Sequence, residues 1–282
     1  MSNTNDEIWT KIDYTVKDPK HEHEKPYDIR YDTGGVMPST NLTNEAKQVV
    51  IHDFRSLQDP RNFEEYGFSL ERLGCTLTDT VFHEQKSIEE VYYPVIEKIL
   101  WDKFPNADAV LILEYNLRKR HAEFPAGENE INFEHAQPVT LAHIDFSLDS
   151  ATKTACAAFG IPQDRCRRLL AVNFWKSLQG PGNDWPLALC DHRTINHASE
   201  TIVADVVYHN RFTENEKVYY NSNHKWYYFK NLGDDEIVMF LQKDSDIEGG
   251  GGVVHSSFNN PRVEVNAPLR ASIEMRAFVI FA

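Results

Sequence analysis

From Asp108 to Ala282 the chain is a succession of short runs rich in aliphatic and aromatic residues, each bounded by Gly, Pro, Asn or Asp. The runs read DAVLILEYNLR, VTLAHIDF, RLLAVNFW, LALCD, ETIVADVVYH, KVYYN, WYYFK, EIVMFL, GVVHSSF and ASIEMRAFVIFA. Apolar runs this short, punctuated by turn residues, suit mostly antiparallel strands in a sandwich or barrel. One helical stretch, SATKTACAAFG at 150–160, interrupts them. No internal repeat or long linker divides the chain, so the expectation is one domain over 1–282 with its β core at 108–282.

Upstream, residues 1–45 are polar and rich in Pro, Asp, Thr and Asn, which predicts an extended N-terminal arm laid over the surface. HEHE at His21–Glu24 has metal-like spacing, but its charged setting beside Pro26 favours a solvated charge run. SIEEVYYPVIEKILWDKF predicts a helix: Ser87 and Glu90 form a capping box, Ile88, Val91, Val95, Ile99 and Leu100 an apolar stripe, and Pro94 a kink.

The net charge of −14 disfavours nucleic acid and anionic membrane as partners. No run of about 18 apolar residues is present to span a bilayer. The first residues lack the features of a secretory signal, so a cytoplasmic protein with Cys75, Cys156, Cys166 and Cys190 as reduced thiols is expected. A small-molecule substrate is the favoured partner, and a homo-oligomer stays open.

TLAHIDFS (140–147) sets His143 and Asp145 two apart in a strand-like run, so both side chains share a face and can grip one ion. Of the other histidines, His121, His135, His192, His197 and His224 lie among charged or turn residues, whereas His255 ends a β-branched run just before a turn. Two histidines and one carboxylate make the facial triad of non-haem Fe(2+) oxygenases, with positions left open for an oxidisable co-substrate and O2.

The final run supplies a second signal. Leu269, Ala271, Ile273, Met275, Ala277 and Val279 form one face; Arg270, Ser272, Glu274 and Arg276 form the other. That polar face can simply meet solvent. Arg270 also follows His255 by about one turn and one strand, and with Ser272 it can grip the distal carboxylate of 2-oxoglutarate whose 2-oxo acid end chelates iron. Arg276 is the alternate anchor, and Glu274 can pair with one of the two arginines.

On His143, Asp145, His255, Arg270 and Ser272 the chain resembles the Fe(II)/2-oxoglutarate-dependent oxygenases, which implies a double-stranded β-helix (jelly-roll, cupin-like) fold with flanking helices. Over roughly 110–280 it resembles the gibberellin desaturase and cephalosporin methoxylase-like group of fungal and bacterial secondary metabolism. That narrower likeness rests on NFWK (173–176), PLALCD (186–191), WYYF (226–229), Asp244-Ser245 and RASIEMR. Lys176 departs from it, standing where the group has arginine. The resemblance implies Fe(2+), 2-oxoglutarate and O2 as cofactor and co-substrates. Asn173 and Arg276 then join Arg270 and Ser272 around the co-substrate, with Phe146, Arg118 and Trp175 facing substrate. Phe174 and Tyr115 are further candidates for an apolar pocket, and Gly249–Gly252 reads as a mobile loop at its mouth.

Three readings follow. The favoured one couples decarboxylation of 2-oxoglutarate to hydroxylation or desaturation of a small natural-product-like molecule. The second is a triad iron oxygenase that does not use 2-oxoglutarate, and the third a non-catalytic jelly-roll binding module.

Overall fold

The computed structural model describes residues 7–57, 63–125, 133–162 and 166–282. Its strands are β1 (Glu7–Thr15), β2 (Tyr27–Ile29), β3 (Asn44–Asp53), β4 (Phe68–Arg72), β5 (Ala109–Lys119), β6 (His143–Ile144) and β7 (Arg168–Ser177). Then follow β8 (Leu187–Cys190), β9 (Thr201–Val207), β10 (Phe212–Val218), β11 (Trp226–Tyr228), β12 (Glu236–Asp244), β13 (His255–Ser257) and β14 (Ala271–Phe281). Nine strands form one sheet in the order β1-β3-β11-β8-β13-β6-β10-β9-β2, and five form a second in the order β4-β12-β7-β14-β5. Bridges from Asp13 to Leu141 and from Thr15 to Tyr219 bring β1 back against β6 and β10, which curls the larger sheet. The result is the expected jelly-roll.

The N-terminal arm is a correction. Its residues 1–6 lie outside the described residues, but β1 pairs with β3 along nine residues, and Ile8, Ile12 and Tyr14 are buried. Their i, i+4, i+6 spacing on a polar background hid a strand that buries one face. Tyr14 Oη accepts from Trp226 Nε1 at 2.8 Å, which ties β1 into the core.

The expected helix is also altered at its start. Ser87 makes no side-chain cap; residues 88–92 form a π turn that runs into the helix Tyr93–Lys103, with Pro94 in its first turn. Proline donates no backbone N–H, and both the widened turn and its position near a helix start accommodate that. The buried stripe is Ile88, Tyr92, Ile96, Ile99 and Leu100. Val91 faces out, because the π turn shifts the helical phase. These residues pack in the same cluster as Val172, Phe174, Ile273, Met275 and Ala277 from the outer faces of β7 and β14.

The inserted helix, Leu148–Phe159, starts where Ser147 Oγ accepts from Ser150 N at 3.0 Å and ends at Gly160 with φ 65°. Ala151 and Ala155 share a cluster with Phe146, Leu169, Ala171, Phe278 and Ile280, which closes one end of the barrel.

Gly249–Gly252 is a second correction, since Gly250, Gly251 and Gly252 are buried. Lys243, itself buried, donates to the Gly251 carbonyl at 2.7 Å and to Glu216 Oε1 at 2.5 Å. Gly252 has φ 117°, and a Cβ there would lie 2.4 Å from the Gln242 carbonyl oxygen. Gly252→Ala should therefore cost about 2–5 kcal/mol, the sum of a disfavoured backbone conformation and an overpacked contact. Urea denaturation measures it; a loss under 1 kcal/mol would show that this close approach is not needed.

Candidate metal centre

β6 and β13 are antiparallel neighbours with His143 directly opposite His255. Opposed residues project to the same side of a sheet, so the register that joins the strands also joins the imidazoles. Their ring centroids are 4.3 Å apart. Asp145, two residues beyond His143, brings Oδ1 to 3.4 Å from His143 Nε2 and 3.9 Å from His255 Nε2. One ligand atom from each of the three lies within 4.8 Å of the others, a group that can hold a metal ion.

The donor set fits a divalent transition metal. His143 Nδ1 donates to the Leu141 carbonyl at 2.7 Å and His255 Nδ1 to the Val253 carbonyl at 3.3 Å. A carbonyl only accepts, so the proton sits on Nδ1 and the Nε2 lone pair is free for a metal. Burial, then the neighbouring His255, pushes His143 down to about 4, which keeps the ring neutral. Burial works to raise Asp145, but Arg276 foremost, then the bond and charges of the two histidines, hold it well below the usual carboxylate range. Neutral histidines and an ionised carboxylate are the forms that ligate.

Asp145 is held from three sides. Asn173 Nδ2 donates to its Oδ2 at 2.6 Å, Arg276 Nη2 lies 3.1 Å from its Oδ1, and its backbone N–H donates to Gln242 Oε1 at 2.7 Å. Arg276 also bonds Glu114 at 2.9 Å. Asn173 and Arg276 thus both bond the Asp145 carboxylate.

Arg270 lies in a different setting. It is buried, its Nε donates to Ser272 Oγ at 3.0 Å and its Nη1 to the Trp185 carbonyl at 2.8 Å, and its guanidinium lies 5.1 Å from the Trp175 ring centre. Burial first, and Arg118 second, pushes it down to about 9, while Glu274 and Asp184 act against them. A buried cation whose side-chain bonds go to neutral oxygens is a site for an anion. A cleft lined by His143, Asp145, His255, Arg270, Glu274 and Arg118, among others, joins the candidate metal group to this cation. The cleft is narrow, about 20 Å³, so a dicarboxylate entering it shifts lining side chains, a common adjustment on binding. A larger cavity of about 690 Å³ opens from the same His143, Asp145 and Arg118.

The expected substrate residues divide. Arg118 lines both cavities and donates to the Gln137 carbonyl at 2.8 Å. Phe146 is buried against Phe278, with the Arg276 guanidinium 5.6 Å from its ring centre, and lines neither cavity. Trp175 also lines neither and lies behind Arg270. Phe174 is buried in the core on the outer face of β7, and Tyr115 is partly buried against the same cluster. Lys176 points away from the centre, its Nζ donating to the Asp234 carbonyl at 2.6 Å.

Lys217 was missed. It pairs with His143 across β10 and β6, is buried, and lines the larger cavity. Burial pushes its ammonium down to about 8, with Asp28 acting against. The only sequence signal was an alternation, Thr213-Asn215-Lys217, that resembled the solvent face of a strand.

A jelly-roll whose interior carries two histidines and a carboxylate, beside a buried arginine, defines the class of protein structurally. The chain belongs to the Oxidoreductase/YMDC permease-like domain family, whose model matches residues 12–280. Among the described residues no helix is long and apolar enough to cross a membrane. The hydroxylase/desaturase poxK of Penicillium oxalicum is 25% identical over 277 residues, covering 86% of this chain and 82% of that protein. The Fe(II)/2-oxoglutarate-dependent dioxygenase nvfI of Aspergillus novofumigatus is 26% identical over 273 residues, covering 94% of each. A solved structure described as the iron and alpha-ketoglutarate-dependent endoperoxidase NvfI superposes with a TM-score of 0.82 at 21% identity, covering 98% of this chain and 99% of that one. That likeness shows the shared fold.

Proposed function

We propose that the chain is a non-haem iron oxygenase that couples oxidative decarboxylation of 2-oxoglutarate to hydroxylation or desaturation of a small natural-product-like substrate. The observation that carries this reading is one cleft lined both by His143, Asp145 and His255 and by the buried Arg270. The names of the two relatives, a hydroxylase/desaturase and an Fe(II)/2-oxoglutarate-dependent dioxygenase, support the same chemistry.

In this reading His143, Asp145 and His255 would hold iron(II). Arg270, supported by Ser272, takes the distal carboxylate of 2-oxoglutarate, and Arg118 stands at the junction with the substrate cavity. Bound iron supplies the redox chemistry, in which dioxygen is reduced as 2-oxoglutarate is split to succinate and carbon dioxide and a substrate C–H bond is oxidised. The chain itself fixes geometry. The Leu141 and Val253 carbonyls set the histidine tautomers, and Asn173 and Arg276 orient Asp145. The enzyme is taken as a single catalytic unit in the cytoplasm, with its four cysteines free.

Anaerobic addition of iron(II) and 2-oxoglutarate to the purified protein should give a visible charge-transfer band, and admission of air should release succinate. Iron binding without the band or succinate would favour the second reading, an iron oxygenase that does not use 2-oxoglutarate. No iron binding at all would leave a jelly-roll binding module.

A further inference from the structure

One wall of the larger cavity includes three alternate residues of β10: Thr213, Asn215 and Lys217. Lys217 is 2% exposed. Its one ion pair is with Asp28, at 3.8 Å, beyond hydrogen-bond length, and that carboxylate already pairs with Arg30 at 2.8 Å. Asn215 is buried beside it, and its side-chain Oδ1 has no hydrogen-bond partner. An ammonium buried on a cavity wall with only a long ion pair is costly in a structure that uses it only for packing, whereas the Asn215 Oδ1 is an acceptor and offers nothing to an anion.

The charge inventory of this cavity points the same way. Arg30, Arg118, Lys217 and Arg276 line it against Asp28 and Asp145. Arg276 is taken by Asp145 and Glu114, and Arg30 by Asp28. In a chain of net charge −14, the space beside the metal ligands is cationic, and Lys217 and Arg118 are its under-used charges.

We propose that Lys217 anchors the oxidisable substrate through a carboxylate, so that the substrate class is a small hydrophobic carboxylic acid. This rests on the oxygenase reading above and adds the substrate's recognition group to it. Because Lys217 faces His143 across the strand pair, a carboxylate bound there holds the acid end of the substrate beside the metal ligands. Two cations then serve two different acids: Arg270 the co-substrate, Lys217 the substrate.

The test uses protein loaded anaerobically with iron(II) and 2-oxoglutarate, titrated by calorimetry with 2-naphthoate and with methyl 2-naphthoate. The acid should bind about tenfold or more tightly than the ester, the worth of one charged hydrogen bond. Lys217→Met should erase that preference with ester affinity unchanged, and Lys217→Arg should restore part of it. Equal binding of acid and ester to the wild-type chain overturns the proposal even where the methionine variant does not fold. So does a preference that survives in Lys217→Met, or a loss in that variant of 2-oxoglutarate affinity alone. Absence of the charge-transfer band in the loaded wild-type protein instead removes the oxygenase reading, so the two failures are distinguishable.

Discussion

His143→Ala should abolish stoichiometric iron binding, and with it all succinate formation. Outer partners of a metal ligand change affinity by about 10–100-fold when removed, and loss of one of only three protein donors should exceed that range. His143 is the most exposing test of the three, because its Nε2 is freed by a 2.7 Å bond from Nδ1 to a strand carbonyl and has no other assigned role. Removing it leaves Asp145 with Arg276 and Asn173 still in place, so the fold should survive. Iron content after anaerobic reconstitution is the measurement. A variant that retains one iron per chain would dismiss His143 as a ligand, and circular dichroism would separate that result from unfolding.

Arg270→Leu should weaken 2-oxoglutarate by about 100-fold or more while leaving iron binding near the wild-type value. Truncating one partner of a buried charge-assisted pair costs about 2–5 kcal/mol, and leucine fills part of the volume without replacing the donors. The effect should appear in the co-substrate's dissociation constant, read from the charge-transfer band at fixed iron. Lysine is not an adequate substitute, since its point charge lacks the planar fork that meets a carboxylate with two parallel bonds. Unchanged 2-oxoglutarate affinity in Arg270→Leu would move the anchor elsewhere in the cleft, with Arg118 the next cation along it.

Most strands after Asp108 were legible because they bury apolar side chains on at least one face, and burial leaves a mark in composition. β1 and β10 were obscured for the opposite reason: their buried faces alternate with, or consist of, polar residues. KVYYN pointed to the end of β10, whereas the strand itself is FTENEKV. The triad was readable from the i, i+2 spacing of His143 and Asp145 together with a histidine at the end of a β run. Arg270 and Arg276 could not be told apart in sequence, as they fall on the same polar alternation of the final run, six residues apart. The structure separates them by their partners: Arg276 meets Asn173 across β7 and reaches Asp145, while Arg270 extends past the strand end to Trp185 and Ser272. The NFWK segment drew attention to Asn173 but could not show that its amide bonds Asp145. Phe146 lines neither cavity because a residue following Asp145 by one position points to the other side of the backbone.

The two strands that carry the histidines are also the shortest at the centre of the larger sheet, two residues in β6 and three in β13, and they meet at the single pair His143–His255. A metal held by both imidazoles bridges that pair and stitches the sheet where its own backbone ladder is thinnest. Parting the strands separates two ligands at once, so local fraying and metal release become one event rather than two. The ion that equips the interior for chemistry would thereby also be a clasp on the barrel wall.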